Sequence, residues 1–307
     1  MITTQHQHRK LFSEIKVDTE KIGHELESLI ASISPTERDE DTVVMDDATV
    51  QIVRKNQKNL DNSEIEAFKN AVNKLIQDGT YKNLTEIHAD MSHNQHGSMG
   101  AKGALRFLSW HRRFLLEFEK ELQKADRSLR PQATTFITIP YWRWVDDFPS
   151  WLEGFLPATD PESGNPVPPR TYKNADSSLK PTSSDVDYII NGFDHQLSGF
   201  TVNKYTKFTY GLEGNGVRSD GTELPAHNQV HQWVGGIMDD LSYSPTDPMF
   251  WLHHAEVDRL WHIWQNNNPG LNPPLTGVNK IMDPWQEDSD QLASITVLGY
   301  KYESDIP

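Results

Sequence analysis

A mainly α-helical fold with long loops and little β structure is predicted by three features of the 307-residue sequence. Amphipathic runs at helical spacing recur along it, a central stretch breaks into Pro-, Gly-, Ser- and Asn-rich loops, and one short strand pattern occurs near the C terminus. Residues 1–48 are charged and weakly periodic, with acidic Glu37, Asp39, Glu40 and Asp41 near Pro35, and read as an N-terminal extension, a solvated arm or loosely packed helix. From Ser63 a helix is signalled by Ser63 and Glu66 as a capping box and by Ile65, Phe68, Val72, Leu75 and Ile76 on one face. Gly79 ends it, and a second helix is expected over about Tyr81 to Met91. Phe107 to Ala125 is strongly amphipathic through Leu108, His111, Leu115, Phe118 and Leu122. Pro140 to Pro225 reads as short aromatic pieces and loops. Helical patterning returns over Ala226–Val234 and Pro248–Gln265, and Ile295–Tyr302 could form a strand. No linker or short repeat divides residues 49–307, which are taken as one domain.

Composition removes several function classes. Lys and Arg total 29 against 44 Asp and Glu, a formal charge of −15, with no basic stripe, which argues against nucleic acid and anionic membrane as partners. Nothing approaches the roughly 18 consecutive apolar residues of a spanning helix, so a soluble protein is expected. The N terminus does not look like a secretory signal, which leaves a cytoplasmic location as the default. Without cysteine there are no disulfides, thiolate metal sites or thiol nucleophiles.

Histidine is where the chemistry concentrates. There are 13, most of them in two groups. His227 and His231 are spaced i, i+4, which puts two imidazoles on one side of a helix, as a ligand pair or as ordinary helix histidines. Downstream, adjacent His253 and His254 diverge by about 100° on a helix, so only one can share the metal-facing side. Asp258, one turn after His254, could take its second ring proton and so favours His254 as ligand; His253 then reads as a hydrogen-bonded supporting or core residue. The earlier group is His88, His93, His96 and His111. His111 falls on the inward side of its helix, where an imidazole needs a partner, either a metal or another polar group of the core. Two clusters of neutral histidine without Cys or evident carboxylate ligands suit copper well and zinc less well. The tetrad of a diiron bundle is missing, and so is the zinc-protease pattern, because His24-Glu25 is followed by Leu26, Glu27 and Ser28.

From about Arg54 to Tyr302 the sequence resembles the tyrosinases and catechol oxidases, whose dicopper centre is also found in haemocyanin. The resemblance is carried, in family order, by the segment from Arg106 through Trp110-His111-Arg112 to Glu119, by Pro140-Tyr-Trp-Arg-Trp, by His227-Asn-Gln-Val-His231, and by the segment from Asp247 through His254 to Trp261. It implies a four-helix bundle holding two copper ions, each by three histidines, with O₂ as co-substrate. One copper, B, would take His227, His231 and His254. The other, A, would take His88, His111 and a third. The usual register places that third ligand nine positions before His111, which here is Lys102, an ammonium without a lone pair. His96 is the favoured substitute and His93 the rival, with a defective copper A as the remaining alternative.

The segment Tyr210-Gly-Leu-Glu213-Gly resembles the place where tyrosinases carry a glutamate that, with the asparagine at position 228, holds a water able to deprotonate monophenols. Glu213 and Asn228 are therefore the expected catalytic pair, with Glu223 as rival to Glu213. Gln232 would be a tuning position near the substrate entrance. The tail Leu298-Gly-Tyr300-Lys-Tyr302 resembles the tyrosine motif that closes the core, with Arg54 as its partner. Because the sequence stops five residues later, the site is expected to be open without proteolysis, and without Cys there is no Cys–His thioether. The activity implied is ortho-hydroxylation of monophenols and oxidation of o-diphenols to o-quinones, with small phenols as substrates and a copper-delivering chaperone as a candidate partner. Alternatives are a catechol oxidase or o-aminophenol oxidase, and, less favoured, oxygen carriage or a purely structural metal module.

Overall fold

The longest amphipathic run becomes the central helix of the molecule. In the computed structural model, which describes residues 9–31 and 52–304 apart from 193–196, 198–199 and 219, this helix is α4 (Ala101–Leu129), longer at both ends than the sequence pattern. Around it lie α1 (Thr19–Ala31), α2 (Asn62–Gln77), α3 (Thr80–Ala89), α5 (Ser183–Asn191), α6 (Lys204–Tyr210), α7 (His227–Val234) and α8 (Met249–Asn267). The histidine-bearing bundle consists of α3, α4, α7 and α8. Strand β1 (Ile52–Arg54) pairs in parallel with β2 (Tyr300–Tyr302), and these two short strands form the one sheet among the described residues. No helix among those residues is long and apolar enough to cross a membrane.

Aromatic stacking fixes the helix faces. Trp251 of α8 stacks on Phe118 of α4 with centroids 3.8 Å apart, and Trp264 stacks on Phe208 of α6 at 4.5 Å. Such pairs add about 0.5–1.5 kcal/mol beyond burial. Asp247 starts α8 by accepting from the Met249 amide at 2.8 Å while Arg170 grips both its oxygens.

Several local expectations shift. The capping box of α2 is Asp61 with Glu64, whose side chains each accept the other's backbone N–H, two residues ahead of the Ser63–Glu66 pair. Ser63 instead donates its hydroxyl to Asp61 at 2.6 Å. The C-terminal strand is shorter than Ile295–Tyr302, because the chain turns from Ser294 to Gly299, where φ is 82°. The region read as loops contains α5 and α6, whose 9 and 7 residues are too few to show a period. Thr182 with Asp185 boxes the start of α5, and Asn203 caps α6.

The N-terminal extension is not a solvated arm where it is described. Helix α1 buries Ile22, Gly23 and Leu26, and its Glu25 accepts from the Ala101 amide at the head of α4. Ahead of it a single turn at Phe12–Glu14 buries Phe12. The apolar spacing in residues 9–31 is sparse, but Ile22 and Leu26 join the core, with Val17 and Leu29 packed against it. The acidic patch at residues 37–41 lies outside the described residues.

Asp258 is the hub of a buried charge cluster. Its carboxylate accepts from Arg112 at 2.5 Å, Arg54 at 3.3 Å, and the hydroxyls of Tyr300 and Tyr302 at 2.7 and 2.6 Å. Burial raises its pKa, but the facing guanidiniums of Arg112 and Arg54 outweigh that and hold it low. Arg54 also grips Glu119 of α4, so β1, β2, α4 and α8 are tied together at one point. The expected pairing of Arg54 with the tyrosine motif is present, through Tyr302. Asp258→Ala leaves two buried guanidiniums without this partner and is expected to cost about 3–5 kcal/mol in urea unfolding, whereas exposed Lys301→Ala should change stability by under about 0.5 kcal/mol.

Candidate metal centre

Six buried imidazoles from four helices and one loop meet in the bundle. His88 ends α3, His111 lies mid-way along α4, His227 and His231 share one side of α7, and His254 projects from α8. His96 comes from the loop between α3 and α4. That loop crosses the first turn of α4 so closely that a Cβ on Gly103 would lie 1.9 Å from the His96 carbonyl oxygen. His88, His96 and His111 form one group whose ligating atoms all lie within 4.8 Å of one another, and His227, His231 and His254 belong to a second, with His253 beside them. The groups are neighbours: the His111 and His254 rings stack 4.4 Å apart.

Tautomers can be assigned from the partners. His88 Nδ1 lies 3.0 Å from the Ser242 carbonyl, His111 Nδ1 2.8 Å from that of Phe107, and His231 Nδ1 2.7 Å from that of Met238. A carbonyl can only accept, so each Nδ1 carries the proton and each Nε2 presents a lone pair. His227 Nδ1 meets the Asn228 side-chain oxygen at 2.9 Å and is placed the same way. The Nε2 atoms of these four rings then face one another without a proton between them: His88 and His111 approach to 3.4 Å, and His227 and His231 to 3.1 Å. His254 Nε2 lies 3.2 Å from that of His227.

Converging lone pairs in a dry pocket repel unless a cation sits among them, so the donor set fits a pair of metal ions that accept imidazole. Burial, followed by the neighbouring imidazoles, holds His96, His111, His227, His231 and His254 well below the ordinary imidazole range; His88 falls to about 4. All six are neutral at pH 7 and available as ligands.

His253 is excluded from the set by its own hydrogen bond. The Trp144 indole donates to its Nδ1 at 2.9 Å, which puts the ring proton on Nε2 and leaves no lone pair for a metal. This is the supporting role expected of it. His93 lies apart from the cluster, with Nδ1 2.8 Å from Asp283, a carboxylate that also takes Arg106. The expectation that Asp258 orients His254 is not met: that carboxylate is taken up by the arginine and tyrosine cluster, and no partner is found for His254 Nδ1. Its ring is held instead by stacking, on Phe250 at 4.0 Å and on His111 at 4.4 Å.

Glu213 is buried in a widened helical turn, Gly211–Asn215, that continues α6. Its Oε1 accepts the Gly97 amide at 2.7 Å and lies 3.6 Å from His96 Nδ1. Burial pushes its carboxyl up to about 8; cations nearby would pull it down again. Asn228 lies against the next turn residue, since a Cβ on Gly214 would be 3.0 Å from the Asn228 Cβ. The rival Glu223 is exposed and hydrogen-bonded to Gln229. Gln232 of α7 is half-buried.

One residue at the site escaped the sequence reading altogether. Phe12 stacks on the His231 ring at 4.0 Å and 17°, and meets His227 and His96 edge-on at 5.6 and 6.3 Å. No motif marks it. Phe107 and Phe250, which also pack on the imidazoles, do lie inside the recognised helical segments.

Such an arrangement defines a dinuclear metal protein with two all-imidazole sets in a helical bundle. The family model for the common central domain of tyrosinase matches residues 78–194 and 155–267. A tyrosinase from Streptomyces galbus is 32% identical over 273 residues, covering 76% of this chain and 93% of the relative, and one from Streptomyces antibioticus is 32% identical over 270 residues with the same coverage. The crystal structure of Grenache (Vitis vinifera) polyphenol oxidase shares the fold at a TM-score of 0.54 and 18% identity, over 90% of this chain and 93% of that one. The chain belongs to the tyrosinase family. It is a type 3 copper oxidase with two copper ions as cofactor and O₂ as co-substrate.

The buried neutral histidines make the metal-free protein acid-sensitive. Their native pKa values are depressed, so between about 6.5 and the native values the unfolded chain binds more protons, and stability falls as pH drops through that window. Urea titrations of metal-free protein are expected to show stability falling steeply from pH 7 to pH 5. Saturating copper should raise the melting temperature without flattening that slope, because a ligated imidazole cannot take a proton either.

Proposed function

We propose that this oxidase acts on both monophenols and o-diphenols, hydroxylating the former at the ortho carbon and oxidising the latter to o-quinones. The observation that carries the reading is the buried carboxyl of Glu213 beside His96, on the turn that packs against Asn228. Bound copper ions would supply the electrons passed to dioxygen. The assigned ligands are His88, His96 and His111 for one ion and His227, His231 and His254 for the other.

A monophenol has a pKa near 10 and must lose its proton to bind as phenolate. Asn228 spends its side-chain oxygen on His227, which leaves its Nδ2 to donate to a water. Glu213, ionised once the cations are in place, can take a proton from that water, which in turn takes the phenolic one. Catechols are more acidic and need this relay less. Tyrosinases of Streptomyces at about 30% identity support the same activity.

Glu213→Gln is expected to lower monophenol turnover by about a hundredfold while catechol turnover changes severalfold at most, measured as oxygen uptake on tyrosine and DOPA. If wild-type protein with two coppers oxidises catechols and never monophenols, it is a catechol oxidase. Elemental analysis should find two coppers per chain in the wild type and in His93→Ala, and one in His96→Ala.

A further inference from the structure

We propose that Gln229 is a positioning residue for monophenol chemistry: its side-chain amide holds the turn that carries Glu213 against the head of α7, and so sets Glu213 beside Asn228. The proposal rests on the reading in which Glu213 and Asn228 serve monophenols. Gln229 is 4% exposed, and both polar atoms of its side chain are engaged. Its Oε1 accepts the Ala226 amide at 3.1 Å, while its Nε2 donates to the Gly214 carbonyl at 3.0 Å and to Glu223 Oε1 at 2.6 Å. One acceptor facing an N–H and two donors facing oxygens is the pattern of a side-chain amide, and it fixes which way the amide points.

The turn needs this hold because of its own backbone. Gly214, the residue after Glu213, leaves helical geometry with a φ of 102°, so the helical ladder does not carry the turn onward. Ahead of the turn, α6 is anchored where the Thr209 hydroxyl donates to the Ala104 carbonyl of α4 at 3.1 Å. Behind it, the Gly216 carbonyl accepts the Leu224 amide at 3.0 Å. Between those two points Gln229 takes the Gly214 carbonyl, and the Gly97 amide takes the Glu213 carboxylate. The fit is close: a Cβ on Gly214 would lie 2.5 Å from Gln229 Oε1 and 3.0 Å from the Asn228 amide nitrogen. Gln229 directly follows Asn228 on α7, so the residue that grips the turn is rigidly joined to the partner of Glu213. Glu223 then acts not as a base but as an exposed acceptor that steadies Gln229 from the surface.

The test uses the full chain, loaded with copper, as wild type, Gln229→Met, Glu223→Gln and Glu213→Gln. Gln229→Met keeps the length of the side chain and removes all three hydrogen bonds, whereas Glu223→Gln keeps an oxygen to accept from Gln229. Measured as oxygen uptake, Gln229→Met is expected to lower kcat on tyrosine by about ten- to a hundredfold, the order expected when a reacting group is misplaced by about 1 Å, with KM little moved. Turnover of DOPA should fall severalfold at most, and Glu223→Gln should keep the wild-type ratio of the two activities. The Gly97 amide bonds to Glu213 and reports where that carboxylate is. In metal-free protein its hydrogen exchange should quicken about tenfold or more in Gln229→Met, while amides in the middle of α4 keep their protection. Equal loss of both activities, or wild-type exchange at Gly97, would show that Gln229 is ordinary core structure and overturn the proposal. If Gln229→Met does not fold, Glu223→Ala at its exposed site decides by the same two readouts, with shifts of the same sign and smaller size. If Glu213→Gln leaves the ratio of tyrosine to DOPA turnover unchanged, the monophenol reading fails, and exchange at Gly97 still decides whether Gln229 places Glu213.

Discussion

Nδ1–H donation to backbone carbonyls is the constraint on which the site depends. A free imidazole can present either nitrogen, and a cluster of six could satisfy itself by sharing protons among its members. Here the carbonyls of Ser242, Phe107 and Met238 take the Nδ1 protons of His88, His111 and His231, which forces lone pairs inward. The electrostatic cost of that arrangement is present in the folded chain before any ion arrives, and it is what makes the pocket a metal site and not a hydrogen-bonded polar core. The carbonyls come from segments the helices bring together, so ligand geometry follows directly from how α3, α4 and α7 are packed.

The Asp258 cluster secures that packing where α4 and α8 meet the two strands. Four donors converge on a single buried carboxylate, two of them cationic, and they arrive from a strand near the start of the described core, a strand at its end, and the central helix. Burial of the ions is costly, and hydrogen bonding to every oxygen is what offsets it. Closing the core in this way also withdraws Asp258 from His254, whose position is left to stacking on Phe250 and His111.

Much of this was legible in the sequence because helical periodicity and histidine spacing act over one or two turns. The i, i+4 pair His227 and His231, the divergence of His253 from His254, and the inward placement of His111 all follow from 3.6 residues per turn. The limit came where geometry depends on contacts distant in sequence. Asp258 has the right spacing to reach His254, yet two arginines 146 and 204 positions away claim it. Short helices α5 and α6 carry too few residues for a period to emerge. Phe12 belongs to a charged segment with no recognisable pattern, and its burial over His231 depends on a surface assembled from α7 and the turn after it.

The crossing of the His96 loop over Gly103 bears on how such a site can vary. The third histidine of its group is carried by this loop, and a half-buried lysine stands at position 102 of the facing helix. Its neighbour is the constrained position, because any side chain at 103 would strike the His96 carbonyl. Holding this imidazole in place thus depends on an empty space one residue along the helix, a purely steric demand that ligand chemistry does not reveal.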